Sequence, residues 1–142
     1  MKLTWALSLA ATIAGCGHPL AVMTGVNDEP VMLLGHDPVS YFTEGKPRRG
    51  DPAIKARHRD VVYYFANDRH RRMFIADPNR FAPQYGGFCS SGAAFGLKLG
   101  SDPTEFVIRD GRLFIFGDVL GHVAWELDPA WNIRHADQVW PE

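Results

Sequence analysis

Chemistry in this chain starts from a thiol and a set of imidazoles. Of its two cysteines only Cys89 lies outside the N-terminal segment, within Tyr85-Gly86-Gly87-Phe88-Cys89-Ser90-Ser91-Gly92. Three glycines in that stretch permit tight turning or a close approach of backbone to a ligand. The thiol itself suits three roles: a soft metal ligand, a redox group or a small buried apolar side chain. The six histidines are His18, His36, His58, His70, His122 and His135, and the sequence holds no Cys-x-x-Cys, His-Glu-x-x-His or His-x-x-x-His spacing. A metal site would therefore have to assemble through space, from Cys89 with His36, Asp37, His58 or His122. Thiolate with imidazole would favour a soft or borderline ion such as copper or zinc. The competing reading is a buried Cys89 among surface histidines.

Nucleophilic catalysis has less support. Gly87-Phe88-Cys89-Ser90-Ser91 is a damaged nucleophile elbow, because Ser91 stands where the second glycine belongs and no convincing strand precedes it. A Cys–His pair is geometrically open to any of six histidines, so that compatibility discriminates nothing. The chain is read as a non-enzyme, with thiol-based catalysis disfavoured.

The N-terminus has the build of a secretory leader: Lys2, then a short apolar run from Leu3 to Ile13, then Ala14-Gly15-Cys16. That run falls short of the roughly 20 apolar residues of a membrane-spanning helix. Small residues before Cys16 also fit a bacterial lipoprotein leader, cleaved before a cysteine that is then acylated. The expected organisation is a signal peptide over 1–15, lipidation at Cys16, a flexible tether over 16–30 and a single domain over 31–141. Lipid on Cys16 leaves Cys89 without a partner in the chain; a Cys16–Cys89 disulfide is the alternative if acylation fails.

The elements that must position Cys89 are short. Val31 to Leu34 is an apolar run suited to a first strand of the domain. Ile54–His58 and Val61–Phe65 read as a hairpin about Arg59-Asp60, and Asn67 caps a helix from Asp68 to Ile75. Phe106–Ile108 and Leu113–Phe116 form a second hairpin about Asp110-Gly111. Helical spacing continues from Asp118 to Leu127, and Pro129 starts another helix toward Trp140. Asp-Pro recurs at 37/38, 51/52, 77/78, 102/103 and 128/129. All but the pair at 51/52 precede aromatics and read as helix or turn starts. The recurrence reads as punctuation, not as a repeat. Strands and helices mix without a βαβ rhythm, which predicts a small α+β domain with two β-hairpins and several short helices.

Apolar content of 46% excludes disorder, and a formal charge of −1 gives no global argument for nucleic acid. Charge is uneven all the same: residues 44–82 hold ten Lys/Arg against five Asp/Glu. Such a face either lies solvated or rests on anionic headgroups beside a lipid tether. Aromatics do not interleave with these arginines as a nucleic-acid surface requires.

Three blocks carry a family resemblance: Gly35-His36-Asp37-Pro38-Val39-Ser40-Tyr41-Phe42-Thr43-Glu44-Gly45-Lys46, Tyr63-Tyr64-Phe65-Ala66, and Asp77-Pro78-Asn79-Arg80-Phe81-Ala82-Pro83-Gln84-Tyr85-Gly86-Gly87-Phe88-Cys89. In this order and spacing they resemble the stand-alone exported members of the YHS-domain family. The resemblance continues through Asp110-Gly111-Arg112-Leu113-Phe114 and Ala136-Asp137-Gln138-Val139-Trp140-Pro141. It implies a small α+β module tied to heavy-metal handling through related domains that accompany metal-transporting ATPases. Similar modules attached to large oxygenase subunits imply a structural role instead. Cys89 matches the family's cysteine. This chain departs from the pattern at His36, where Tyr is common, and at Ser90-Ser91, where a small residue and an aromatic are usual.

Two expectations follow. One is an exported, lipid-anchored module of the bacterial cell envelope, facing the periplasm or exterior, that binds copper or zinc through Cys89 with His36 as a second ligand. The alternative is a structural or protein-interaction module with Cys89 in its core, partnered by an envelope protein.

Overall fold

The computed structural model describes residues 21–140. The leader, the lipidation position Cys16 and the Cys16–Cys89 alternative lie outside the described residues. The described part is α+β, with six strands in two sheets and six helices.

Two antiparallel hairpins form the frame, β3 (Asp51–His58) with β4 (Val61–Phe65) and β5 (Asp102–Arg109) with β6 (Arg112–Phe116). Both turn through two successive residues of positive φ, Arg59-Asp60 and Asp110-Gly111, the backbone that matches the right-handed twist of the flanking strands. The first hairpin is extended by β2 (Pro30–Met32), parallel to β4, and β1 (Val22–Thr24), giving the order β1-β2-β4-β3. The fold thus begins at residues 22–24, within the segment expected to be a tether, because these residues pair with β2.

Each hairpin is followed by a capped helix pair. The Asn67 side chain accepts from the His70 N–H at 2.8 Å and starts α2 (Asp68–Ala76); Asp118 accepts from the Gly121 N–H at 2.7 Å and starts α5 (Val119–Glu126). Such side-chain caps satisfy an N–H that the helix cannot. Asp-Pro then opens α3 (Pro78–Phe81) and α6 (Pro129–Val139), and Asp37-Pro38 opens α1 (Pro38–Thr43). Asp102-Pro103 differs from expectation. It begins the strand β5, with Pro103 in the register shift between Asp102 and Phe106, where the missing proline N–H costs no ladder bond. The remaining short helix is α4 (Ser90–Ala93), directly after Cys89.

Strand alternation distributes the core. Val61, Tyr63 and Phe65 of β4 join Met32, Val39, Tyr41, Phe74 and Phe81 in the main cluster, while Val62 and Tyr64 pack with Val31 on the opposite face. In β6, Leu113 and Ile115 enter the main cluster, whereas Phe114 and Phe116 enter a second one with Tyr85, Trp125 and Ala136. β6 is buried on both faces, which explains its uninterrupted apolar run.

The two halves are copies of one unit, which corrects the reading of the Asp-Pro pairs as punctuation. Asp51↔Phe65 with a slip to Lys55↔Tyr64 is reproduced as Asp102↔Phe116 with a slip to Phe106↔Ile115. The parallel pairing Val31↔Val62 recurs as the bridge Pro83↔Leu113. The positive-φ run Leu33-Leu34-Gly35 recurs at Tyr85-Gly86-Gly87, and Gly45 recurs at Gly96. Backbone bonding follows, with Asp37 N–H to Arg48 O at 2.8 Å and Cys89 N–H to Leu99 O at 3.1 Å. Asp37 therefore corresponds to Cys89, Arg48 to Leu99, Asn67 to Asp118 and His70 to Gly121.

Candidate functional site

In the first half the position before the short helix is closed by its own side chains. Asp37 is fully buried, and its carboxylate accepts from the Val39 N–H (2.8 Å) and the Ala66 N–H (2.8 Å) and pairs with His70 Nδ1 at 2.6 Å. His70 is also buried, and its Nε2 reaches Thr43 Oγ1 at 3.4 Å, with Glu44 Oε1 at 3.9 Å. Both oxygens of Asp37 are thus engaged, Oδ1 by one partner and Oδ2 by two.

In the second half the same place is open. Cys89 replaces the carboxylate and Gly121 replaces the imidazole. A Cβ on Gly121 would stand 3.7 Å from Cys89 Sγ and 3.6 Å from Ser91 Oγ, and a Cβ on Gly117, the counterpart of Ala66, would also stand 3.7 Å from Cys89 Sγ. With no side chain at either glycine, a cleft of about 540 Å³ lies over the thiol, lined by Cys89, Ser91, Leu99, Gly100, Gly117, Asp118, Leu120, Gly121 and Ala124. Ser91 Oγ donates to the Gly121 carbonyl at 2.5 Å and holds α4 against α5. Cys89 is free and only 5% exposed, so access to its sulfur runs through this cleft.

The candidate ligands read from the sequence are scattered. His36 directs Nδ1 to the Leu33 carbonyl at 2.9 Å and bridges to Arg49. Asp37 is engaged by His70. His58 packs edge-on to Phe74 at 6.0 Å. His122 stacks on Phe116 at 4.3 Å, with Nδ1 3.3 Å from Glu105. None of the four lines the Cys89 cleft. Among the described residues no three His, Cys, Asp or Glu side chains gather as a metal site.

Sequence spacing did not reveal the Asp37–His70 pair, whose members lie 33 residues apart on different helices' N-termini. Nor did it reveal the contrast in surface around the two sites. Glu44, Lys46, Arg48, Asp68, Arg69 and Arg72 are all exposed in the first half. Their counterparts Phe95, Leu97, Leu99, Val119, Leu120 and Val123 are exposed as well, Leu120 at 80%. Leu127 extends the apolar stripe of α5 and is 84% exposed. Ile75 with its counterpart Glu126, and Pro47 with its counterpart Lys98, reverse the trend. A stable solvated helix carries polar residues on its outer face, as α2 does. An apolar outer face of this extent marks a surface that something covers.

A polar clasp closes the second half beside β6. Arg112 donates to both Asp137 oxygens, at 2.7 and 3.1 Å, and to Gln84 Oε1 at 2.9 Å, while the Tyr85 hydroxyl donates to Asp137 at 2.9 Å. The Arg112 hydrogen bonds hold the Asp137 carboxyl below its ordinary range. Burial first, then the bond to Asp137, push the Tyr85 hydroxyl well above its ordinary value.

Comparison with protein-family models, with curated proteins and with solved structures returned no match.

Proposed function

We propose that this chain is a non-catalytic binding module of the bacterial cell envelope, exported, tethered by a lipid on Cys16 and built on a duplicated YHS-type unit. The observation that carries this reading is the difference between equivalent faces: six exposed positions that are charged in the first half are apolar in the second. Two copies of one unit bury the same surfaces for folding, so the apolar outer face of the second copy is surplus to the fold and available for binding. A photo-reactive residue placed at position 120, and in a separate protein at position 69, tests this in the intact envelope. A cross-linked product at 120 with none at 69 is expected; an unlinked position 120 would overturn the reading.

A second reading is favoured by the cleft. Cys89 faces space instead of a side-chain partner, so a soft or borderline ion such as Cu(I) or Zn(II) could bind the thiolate, with Ser91 and Asp118 the other polar side chains at hand. His36 lies outside that lining, so further donors would come from solvent or a partner. Titration with each ion of the wild-type protein and of Cys89→Ala decides it, since equal binding by both removes Cys89 from the account.

A further inference from the structure

We infer that the apolar face formed by α5 and the 95–99 loop rests in the surface of a lipid bilayer, beside the point where the chain leaves the fold toward its anchor. The inference rests on the lipid-anchored reading and names what covers the face.

Two elements build the face. α5 contributes Val119, Leu120, Val123 and Leu127, and the loop contributes Phe95, Leu97 and Leu99. They adjoin, because Leu99 and Leu120 both line the Cys89 cleft. The position of the tether then selects the occupant. The Ala21 N–H donates to the Gly86 carbonyl at 2.8 Å, and a Cβ on Gly87 would sit 3.7 Å from Ala21 Cβ. The Gly87 carbonyl in turn accepts from Ser101 Oγ at 2.6 Å, next to Gly100 in the cleft wall. The chain therefore departs from the edge of the second half that carries the cleft. Ala21 lies five residue steps from Cys16, and a fully extended chain gains at most about 3.6 Å per step, a reach of about 18 Å. An acyl group on Cys16 would hold the membrane surface within about 18 Å of Ala21, close to the half whose Gly86 carbonyl Ala21 bonds and not at the end of a long stalk.

Charge agrees with apolar insertion as the driving force. Lys98 lies between Leu97 and Leu99, while Asp118 and Glu126 flank the helix stripe, so the face offers no cationic excess to anionic headgroups. The binding is therefore expected to tolerate salt, unlike attraction through the basic residues of the first half. The first half supplies the control, since Arg69 and Arg72 occupy the places of Leu120 and Val123 on the same helix of the same unit.

A chain running from Gly17 to Glu142 without the acyl group keeps every residue of the core clusters found among the described residues. Co-sedimentation of this chain with phosphatidylcholine vesicles is expected, equal at low and high salt. Leu120→Arg with Val123→Arg should weaken it about tenfold or more. Leu97→Lys with Leu99→Arg, on the separate loop, should do the same, which guards against misfolding of one variant. Absence of co-sedimentation, equal co-sedimentation by wild type and both variants, loss at high salt, or burial of the face in a dimer would each overturn the inference. Mass measurement of the envelope-purified protein reads the acyl group independently. An unmodified Cys16 in a chain that still partitions through α5 removes the anchor and keeps the face; an acylated chain indifferent to the α5 variant removes the face and keeps the anchor.

Discussion

The two halves of the molecule share a backbone and differ in what they do with it. Each has a parallel strand contact, a positive-φ turn, a short helix, a bulged hairpin and a capped helix pair. In the first, Asp37 and His70 close the space before the short helix, and the surrounding surface is charged. In the second, Cys89 and Gly121 leave that space open and the surroundings are apolar. The first copy is finished by its own side chains; the second is left to be finished from outside. A duplicated unit can divide labour in this way because the conserved backbone bonds keep both copies folded while side chains diverge.

The largest test of that division is stability. Asp37→Ala strips the partner from His70, from the buried Val39 N–H and from the half-buried Ala66 N–H, a loss of about 3–5 kcal/mol for a broken buried pair. Cys89→Ala, at the equivalent position, removes one sulfur beside an open cleft and should cost only about 1 kcal/mol. Urea unfolding of the two variants checks the asymmetry. Equal losses would mean that Cys89 is as much a structural element as Asp37, and the contrast between a closed and an open copy would not hold.

The two glycines above the thiol sharpen the comparison further. A Cβ on Gly117 would meet the Gly100 carbonyl at 2.8 Å, whereas one on Gly121 meets nothing nearer than Asp118 Oδ1 at 3.4 Å. Gly117→Ala should therefore destabilise by about 1–3 kcal/mol through overpacking. Gly121→Ala lies in a helix and should stabilise by about 0.5–1 kcal/mol. If Gly121→Ala also costs stability, the glycine is required by the fold and not by access to Cys89. Gly121→His, which restores the first half's residue, should slow alkylation of Cys89 by filling the cleft; unchanged labelling would show that the thiol is reached by another route.

Much of this frame was legible in the sequence, and the reasons differ by element. Both hairpins were visible because β-rich runs flank short turns, although β3 and β5 begin earlier than expected, at Asp51 and Asp102. The cap Asn67 and the Asp128-Pro129 pair announced their helices, and helical spacing alone marked the stretch from Asp118. The duplication was present in the Asp-Pro pairs, 51 with 102 and 77 with 128, each 51 residues apart. It was obscured because the region before the hairpins is offset by one more residue and because Asp37-Pro38 has become Cys89-Ser90. The site was less legible. Cys89 stood out as a thiol, but His36 drew attention by residue type alone, and its ring is turned to the Leu33 carbonyl. Gly121, whose missing side chain opens the cleft, carries no chemical signal; only alignment of the halves against each other exposes it.

The smallest difference between the halves tests whether their polar ties matter. Where the second half has Tyr85 and Arg112 clasping Asp137, the first has the buried apolar pair Leu33 and Val61. The Arg112 hydrogen bonds depress the folded-state pKa of Asp137. A depressed carboxyl contributes its stability above the unfolded value, about 3.9, and loses it as pH falls through the folded value. Wild type should therefore exceed Asp137→Asn by a constant margin near neutral pH, with the margin shrinking below about pH 4. Side-chain exposures of 32% for Arg112 and 44% for Asp137 allow solvent screening, which limits the margin to about 0.5 kcal/mol and makes it salt-dependent. Thermal unfolding from neutral to acid pH measures it. A margin that persists unchanged in acid would show that Asp137 acts through packing of α6, and that the second half is held as apolarly as the first.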